Sequence, residues 1–95
     1  MSEIVQNITK KVNDLIDPET GLTFGDMELI QKIEEVKSGI FNIEFKPTNE
    51  YCPIALKFAQ DIKKIASEVK GVNKVNVYCR GHTMEAAINQ MVNKE

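Results

Sequence analysis

Two cysteines and one histidine are the residues of this chain best suited to chemistry. Cys52 is followed by Pro53, and proline suits the first turn of a helix because its missing N–H would have no helical partner there. A cysteine at that point lies beside backbone N–H groups that favour the thiolate, the form that attacks electrophiles and binds metals. We therefore predict that Cys52 is a reactive thiol or a metal ligand at the start of a helix.

Cys79 and His82 have the spacing of a two-ligand metal chelate. Further ligands would come from Cys52 and from one of three carboxylates, Asp17, Glu19 and Glu50. A structural interpretation is also open, because Cys79 continues the alternation of Val75 and Val77 and would then be buried. His82 would in that case be an ordinary histidine before a helix.

The composition indicates one globular domain that spans residues 1–95. The chain is 42% hydrophobic and 27% charged, and its net charge of −2 comes without a basic stripe of the kind that follows a phosphate backbone. We therefore expect no nucleic-acid partner. The N-terminus lacks the pattern of a targeting signal and no apolar run is long enough to span a membrane, so we expect a cytoplasmic protein without a membrane partner.

The first half of the chain predicts a helix and a β-hairpin. Apolar residues recur at helical spacing from Glu3 to Ile16, and Asp17-Pro18 ends that helix. Strict alternation over Phe41–Phe45 predicts a strand, which needs a partner. On propensity alone, Leu29–Val36 would form a helix capped by Asp26. It is, however, the only local candidate for the partner strand, so we assign it as a strand. Lys37-Ser38-Gly39 is then the hairpin loop.

The second half predicts helix, strand and helix. The first of these helices runs from Pro53 to about Val69, and the strand covers Val72–Tyr78. Thr83 is the predicted N-cap of the last helix. The apolar stripe of that helix consists of Met84, Ala87, Ile88, Met91 and Val92. The expected fold is therefore α/β (α+β) in the order α-β-β-α-β-α, with a three-stranded mixed sheet packed against helices.

This order of elements places the candidate residues at one edge of the sheet. The strands on either side of the central helix should run parallel through a crossover, while the hairpin strands run antiparallel. The Asp17–Gly21 loop, Cys52, and Cys79 with His82 should then meet at the carboxyl edge, where open α/β sheets bind ligands. This prediction requires the second and third strands to be parallel.

Several short motifs together resemble the PaaD-like family, which is also known through SufT and the cytosolic iron–sulfur targeting proteins. The matching segments are Asp17-Pro18-Glu19-Thr20-Gly21-Leu22, Met27-Glu28-Leu29-Ile30, Thr48, Cys52-Pro53 and Gly71-Val72, so the similarity covers Ile4 to Val77. The resemblance implies a compact α/β domain that assembles iron–sulfur clusters or delivers them to apo-proteins. It also implies that Cys52 is the functional thiol and that Asp17, Pro18, Glu19, Thr48 and Pro53 form the neighbouring motif. Glu28 departs from the glycine of many members, so its local backbone need not match theirs.

We expect from these observations a non-catalytic factor in iron–sulfur cluster assembly or transfer, with Cys52 holding a cluster transiently or contacting a recipient. A single bound metal ion is the other cofactor expected. The expected partners are iron–sulfur assembly proteins, apo-protein clients and a second copy, whose Cys52 would share a cluster. The alternatives are an adaptor that binds no cluster and a small enzyme in which Cys52 attacks an electrophile and His82 takes its proton.

Overall fold

The described part of the chain contains three strands and three helices in the order that the sequence predicts. The computed structural model describes residues 3–18, 20–47, 51 and 54–93. The elements within these residues are α1 (Glu3–Asn13), β1 (Ile30–Lys37), β2 (Ile40–Phe45), α2 (Ala55–Ser67), β3 (Lys74–Cys79) and α3 (Glu85–Val92). The predicted order α-β-β-α-β-α is confirmed. No helix within these residues is long and apolar enough to cross a membrane.

The sheet is mixed and has the strand order β1-β2-β3. β1 and β2 pair antiparallel across the hairpin, with Ile33 opposite Ile43. β2 and β3 pair parallel in an unbroken register that runs from Ile40 opposite Lys74 to Phe45 opposite Cys79. The parallel pairing on which the prediction of a shared edge depends is therefore present.

One face of the sheet carries the core. Alternate side chains of β2 and β3 point to that face, since successive side chains of a strand point to opposite sides. Its fully buried members from the two strands are Phe41, Ile43, Phe45, Val75, Val77 and Cys79. Buried side chains of α2 and α1, including Phe58, Ile62 and Ile8, complete the same apolar cluster. The opposite face is polar, and there the Asn76 side-chain amide donates to Asn42 Oδ1 at 3.1 Å.

The first helix is shorter than predicted. It ends at Asn13, whereas we expected it to reach Ile16, which instead forms an antiparallel bridge with Thr23 and is 61% exposed. Beyond the helix the chain pairs with a later segment instead, since the Leu15 carbonyl accepts from the Phe24 N–H at 2.7 Å. The chain therefore leaves the helix early and turns back on itself before β1.

The segment before β1 forms turns rather than the helix that its propensity would allow. Strand pairing thus outweighs propensity, as the assignment of Leu29–Val36 to a strand assumed. Glu28 has a φ of 54°, a backbone conformation that glycine adopts at little cost. Glu28 therefore occupies a backbone conformation that glycine favours.

The hairpin turn between β1 and β2 also contacts the start of β3. Gly39 has a φ of +80°, and a Cβ added there would collide with the side-chain amide of Asn73. The Gly39 carbonyl accepts hydrogen bonds from the N–H groups of Asn73 at 2.7 Å and Lys74 at 3.0 Å. Glycine is therefore required both by the backbone conformation and by the closeness of the two segments.

Two asparagines at the C-terminal end of α3 cover the outer edge of β3. Asn93 Oδ1 accepts from the Val77 N–H at 2.8 Å, and Asn93 Nδ2 donates to the Val77 carbonyl at 2.9 Å. Asn89 makes the same pair of hydrogen bonds with the N–H and the carbonyl of Cys79. Since each amide side chain presents one donor and one acceptor, the two residues satisfy this edge as a neighbouring strand would.

Candidate functional site

The strand ends on which the predicted shared edge depends lie side by side. Ile30 at the start of β1 lies opposite Phe45 at the end of β2, and Phe45 lies opposite Cys79 at the end of β3. Beyond this row, the Lys46 N–H donates to the Leu29 carbonyl at 2.8 Å and the Arg80 N–H donates to the Phe45 carbonyl at 2.9 Å. The connection from β2 to α2 and the loop from β3 to α3 therefore leave the sheet side by side.

Cys52 lies outside the described residues, and so do Glu19, Thr48, Glu50 and Pro53, so the predictions about their side chains stay predictions. The structure describes the segments that flank Cys52. Pro47 is buried, Tyr51 is 68% exposed, and Ile54 is the N-cap of α2. The helix begins at Ala55, two residues later than the predicted start at Pro53. The thiol therefore belongs to the short connection that follows the carboxyl end of β2.

Asp17 is buried although it carries a carboxylate, with 5% of its surface exposed. Its backbone closes the loop that follows it, because its N–H donates to the Leu22 carbonyl at 2.9 Å and its carbonyl accepts from the Gly21 N–H at 2.8 Å. Phe24, just after this loop, packs edge-on against Phe58 of α2 with 5.0 Å between ring centroids. The loop is thereby attached beside α2.

Cys79 is fully buried in the apolar core, as the structural interpretation of the sequence predicted. Apolar surroundings suit a thiol that packs rather than reacts. The two cysteines therefore belong to different parts of the chain. Cys79 belongs to the core, and Cys52 belongs to the connection at the sheet edge.

His82 is 8% exposed, and its Nδ1 accepts a hydrogen bond from the Met84 N–H at 3.0 Å. In the neutral ring the proton then resides on Nε2, so neither nitrogen presents a lone pair unless this arrangement changes. The described residues contain no group of three or more His, Cys, Asp or Glu side chains suited to a metal ion. The proposed Cys79 and His82 chelate stays a prediction, while the hydrogen bond gives His82 a structural role.

The start of α3 differs from the prediction. Thr83 was the expected N-cap, but Met84 occupies that position and makes no capping hydrogen bond with its side chain. The prediction is wrong because the helix begins one residue later and His82 satisfies the Met84 N–H. The His82 carbonyl also accepts from the Glu85 N–H at 3.1 Å. His82 therefore supplies two acceptors at this helix start.

An apolar groove of about 370 Å³ lies between Tyr51, the start of α2 and α3. Its lining residues are Tyr51, Leu56, His82, Thr83, Met84, Ala87, Ile88 and Met91. Met84 and Met91 were predicted to belong to the apolar stripe of α3, but they are 61% and 57% exposed. That prediction is wrong because α3 packs against the edge of β3 and buries only the side that carries Ile88 and Val92. Two methionines seven residues apart, at the N-cap and in the last turn of α3, were the available signal for this groove.

A second groove, of about 440 Å³ and mainly polar, lies at the other end of the connection that contains Cys52. It is lined by Met27, Glu28, Ile30, Gln31, Lys46 and Pro47. The Gln31 side-chain amide donates to the Glu28 carbonyl at 3.0 Å and holds the turn before β1. Sequence reasoning missed this groove, since its walls come together only when β1 and β2 pair.

Arg80 is the first residue after β3, and contacts with the neighbouring strands hold its side chain in place. Its Nε donates to Glu44 Oε1 at 3.0 Å, and its guanidinium lies 5.5 Å from the centre of the Tyr78 ring. The hydrogen bond to Glu44 raises the pKa of the Arg80 guanidinium above its ordinary value, with smaller contributions from the charges of Glu44 and Glu85. Arg80 is half exposed, so this pair orients the loop more than it stabilises the fold.

The order of the elements and the pairing of the strands together define a small α/β domain with a three-stranded mixed sheet. A family model described as iron–sulfur cluster assembly protein matches residues 6–77. The chain belongs to this family, which confirms the PaaD-like resemblance.

Two further comparisons agree with this assignment. An uncharacterized protein of Methanocaldococcus jannaschii is 34% identical over 92 residues, which are 95% of this chain and 95% of that protein. The crystal structure of a domain of unknown function, DUF59, from Bacillus anthracis has a TM-score of 0.74 at 22% sequence identity. The alignment covers 94% of this chain and 87% of that one, and it shows that the two share a fold.

Proposed function

We propose that this protein is a non-catalytic factor that helps to assemble iron–sulfur clusters or to transfer them to apo-proteins, with Cys52 as the working thiol. The observation that carries the proposal is the register at the sheet edge, where Phe45 lies level with both Ile30 and Cys79. This register brings the connection that contains Cys52 next to the loop after β3. Membership of the iron–sulfur cluster assembly family supplies the chemistry.

The number of accessible thiols favours transfer over storage. The chain has two cysteines, and Cys79 is fully buried. Iron–sulfur clusters are usually held by four cysteine ligands, so one chain with at most one thiol outside the core cannot complete a cluster site. The remaining ligands must come from outside the chain, as a donor protein, a recipient protein or a small thiol would supply them. A shared ligand set of this kind suits a cluster that passes through the protein.

The other residues of the predicted motif have separate proposed roles. The buried Asp17 shapes the loop beside α2, and Glu19 adds a carboxylate to the same loop. Thr48 and Pro53 set the path of the chain before and after the thiol. Both grooves at the ends of this connection then provide contact surface for the protein that donates or receives the cluster.

His82 does not support the alternative of a cysteine-dependent enzyme. A general base needs an available lone pair within reach of the proton that it removes. The Nδ1 lone pair already accepts from the Met84 N–H at 3.0 Å, and Nε2 carries the proton in the neutral ring. Removing a proton from Cys52 would thus require the start of α3 to rearrange.

Selective alkylation tests the position of the thiol. Folded protein treated with iodoacetamide should take up one label at Cys52, whereas Cys79 should react only after denaturation because it is buried. Peptide mass spectrometry identifies the labelled residue. Failure of Cys52 to react in the folded protein would remove it as the working thiol.

Anaerobic reconstitution with iron and sulfide tests its chemistry. We expect the wild type to gain the absorption and Mössbauer spectrum of a labile cluster in the presence of a thiol co-ligand, and to pass it to an apo-ferredoxin. Cys52→Ser should lose both properties, while the matched control Cys79→Ala should keep them. Equal cluster binding and transfer by the wild type and Cys52→Ser would overturn the proposal.

The same variants distinguish the adaptor that binds no cluster. If the wild type fails to bind or transfer a cluster but still associates with the assembly machinery, and Cys52→Ser associates equally, the protein is an adaptor. Cluster transfer that requires Cys52 excludes this alternative.

A further inference from the structure

The two outer edges of the sheet are treated differently. On β3, the side chains of Asn89 and Asn93 satisfy the backbone groups of Cys79 and Val77. On β1, no hydrogen bond from the part of the chain that the structure describes reaches the backbone from the side away from β2. An edge strand leaves alternate N–H and carbonyl groups unpaired, which is a template for another strand. β1 is therefore the edge that can accept one.

The side chains of β1 indicate what the added strand is. Lys32 and Glu34 lie on the polar face of the sheet, and Lys32 Nζ lies 2.7 Å from Glu34 Oε2. Ile33 between them is half-buried and points to the core face, opposite Ile43. Pairing with β2 is regular from Lys32 to Glu35, and the irregularities lie on either side of this stretch. The centre of β1 is thus a straight segment with a basic, an apolar and an acidic residue in a row.

We propose that β1 pairs antiparallel with β1 of a second copy of this chain, with the two-fold axis between the two Ile33 residues. Lys32 then lies opposite Glu34 of the partner subunit, and Glu34 lies opposite Lys32 of the partner subunit. Directly opposite residues share a face of the sheet, so both ion pairs form on the polar face. The product is a continuous six-stranded sheet.

The charges select this register over its neighbours. Successive side chains of a strand point to opposite faces, so the helices of both copies stay on one side of the sheet only in some registers. The nearest alternative registers of this kind place the two-fold axis at Lys32 or at Glu34. The first of these registers places two Lys32 ammonium groups opposite each other, and the second places two Glu34 carboxylates opposite each other. Like charges directly opposite are destabilising, whereas opposite charges stabilise the pair. The Ile33-centred register is therefore the one in which this strand complements itself.

This dimer keeps the two carboxyl edges apart. β1 begins at the carboxyl edge of its own sheet, so an antiparallel partner begins at the opposite end. The two Cys52 connections then lie at opposite ends of the six-stranded sheet and cannot share one cluster. Each subunit works with its own donor or recipient protein, in contrast to the dimer expected from the sequence. The inference does not depend on the chemistry of Cys52.

Charge reversal combined with sedimentation tests the interface. We expect the wild type to show a concentration-dependent monomer–dimer equilibrium in analytical ultracentrifugation. Lys32→Glu and Glu34→Lys should each raise the dissociation constant at least about tenfold, because both symmetric ion pairs become repulsive. An equimolar mixture of the two variants should form a heterodimer, and the double variant K32E/E34K should dimerise as the wild type does.

The control is Lys57→Glu, which reverses an exposed charge on α2 that pairs with Asp61 at 2.9 Å. This variant should dimerise normally, and circular dichroism should show that all variants are folded. A wild type that stays monomeric at millimolar concentration overturns the inference. It is also overturned if single variants dimerise like the wild type, or if mixing the two does not restore association.

Discussion

The two edges of the sheet show two ways of ending a β-sheet. The β3 edge is occupied within the chain, since Asn89 and Asn93 each give one donor and one acceptor to its backbone. The backbone of the β1 edge takes no such hydrogen bonds from the described residues, and its side chains carry charges of both signs. Both edges belong to one three-stranded sheet, and they differ in what covers the backbone and in the side chains that the strand exposes.

Because of this difference, we expect the two edges of the sheet to contribute to different properties of the protein. The covered edge leads directly into Arg80 and His82 at the candidate site, where a rigid end of β3 keeps the neighbouring loop in place. The open edge runs beside α1 and away from that site. If the first edge contributes mainly to stability and the second to the proposed association, substitutions should change one property without the other.

The largest effect is expected at the covered edge. Asn93→Ala removes both hydrogen bonds to Val77 and leaves a partly buried N–H and carbonyl unpaired, which should lower the free energy of unfolding by about 2 kcal/mol. Urea denaturation measures this loss, and hydrogen exchange should accelerate at the Val77 amide. The matched control is Gln90→Ala, an exposed position of α3 where little change is expected. Equal losses for the two variants would show that the covered edge contributes nothing special.

A smaller effect is expected at the start of the helix that carries Asn89. His82→Ala removes the acceptor of the Met84 N–H and should cost about 1–2 kcal/mol. Thr83→Ala should change stability by less than about 0.5 kcal/mol, because the exposed Thr83 is not the cap. His82→Asn should recover part of the loss, since its side-chain oxygen can accept the same N–H. Chemical denaturation of the three variants measures these differences, and equal losses for His82→Ala and Thr83→Ala would contradict the assignment.

Glu28, in the turn that enters the open edge, should respond in the opposite direction. Its φ of 54° is costly for a residue with a Cβ, so Glu28→Gly should stabilise the fold by about 0.5–1 kcal/mol. Glu28→Ala is the control, because it removes the carboxylate but keeps the backbone cost. Thermal or urea unfolding of the three proteins separates the two contributions. Stabilisation by alanine equal to that by glycine would show that the charge, not the backbone, is responsible.

The smallest effect concerns the charges of the open edge in the monomer. The hydrogen bond from Lys32 to Glu34 raises the pKa of the Lys32 ammonium above its ordinary value, and their charge attraction adds to it. A cation with a raised pKa in the folded state contributes stability that is fully present below its unfolded pKa and is lost as the pH rises through the folded pKa. Glu34→Gln should therefore lower the pKa of Lys32 and remove this alkaline dependence. An NMR titration of the Lys32 side chain measures the shift, with Lys57 as an internal reference.

The sheet could be predicted from the sequence because its signals are local. Strict alternation over Phe41–Phe45 required a strand, and that strand required a partner, which outweighed the helical propensity of Leu29–Val36. A helix between β2 and β3 then required parallel pairing. These steps were sufficient to align the ends of β2 and β3 with the start of β1 at one edge. They left Cys79 open between a metal ligand and the core position that the structure shows.

The details that failed depend on packing that no local pattern records. Periodicity placed Met84 and Met91 on the apolar face of α3, but the helix lies against an edge of the sheet rather than across its face, so less of its surface is buried. The capping preference of threonine gave no indication that the preceding histidine would accept the Met84 N–H. The role of Asn89 and Asn93 was equally hidden, because it requires knowledge of which backbone groups of β3 lack a strand partner.

The alignment of the strands at the candidate site depends on the distant hairpin turn, through the carbonyl of Gly39. By accepting from Asn73 and Lys74, it sets the first pair of the parallel ladder at the end remote from Cys52. This ladder keeps a single register along its length, so the alignment chosen at this end determines which residue of β3 stands beside Phe45. A substitution in this turn that shifted the register would therefore move the loops of the candidate site relative to each other, although every residue in those loops remained unchanged.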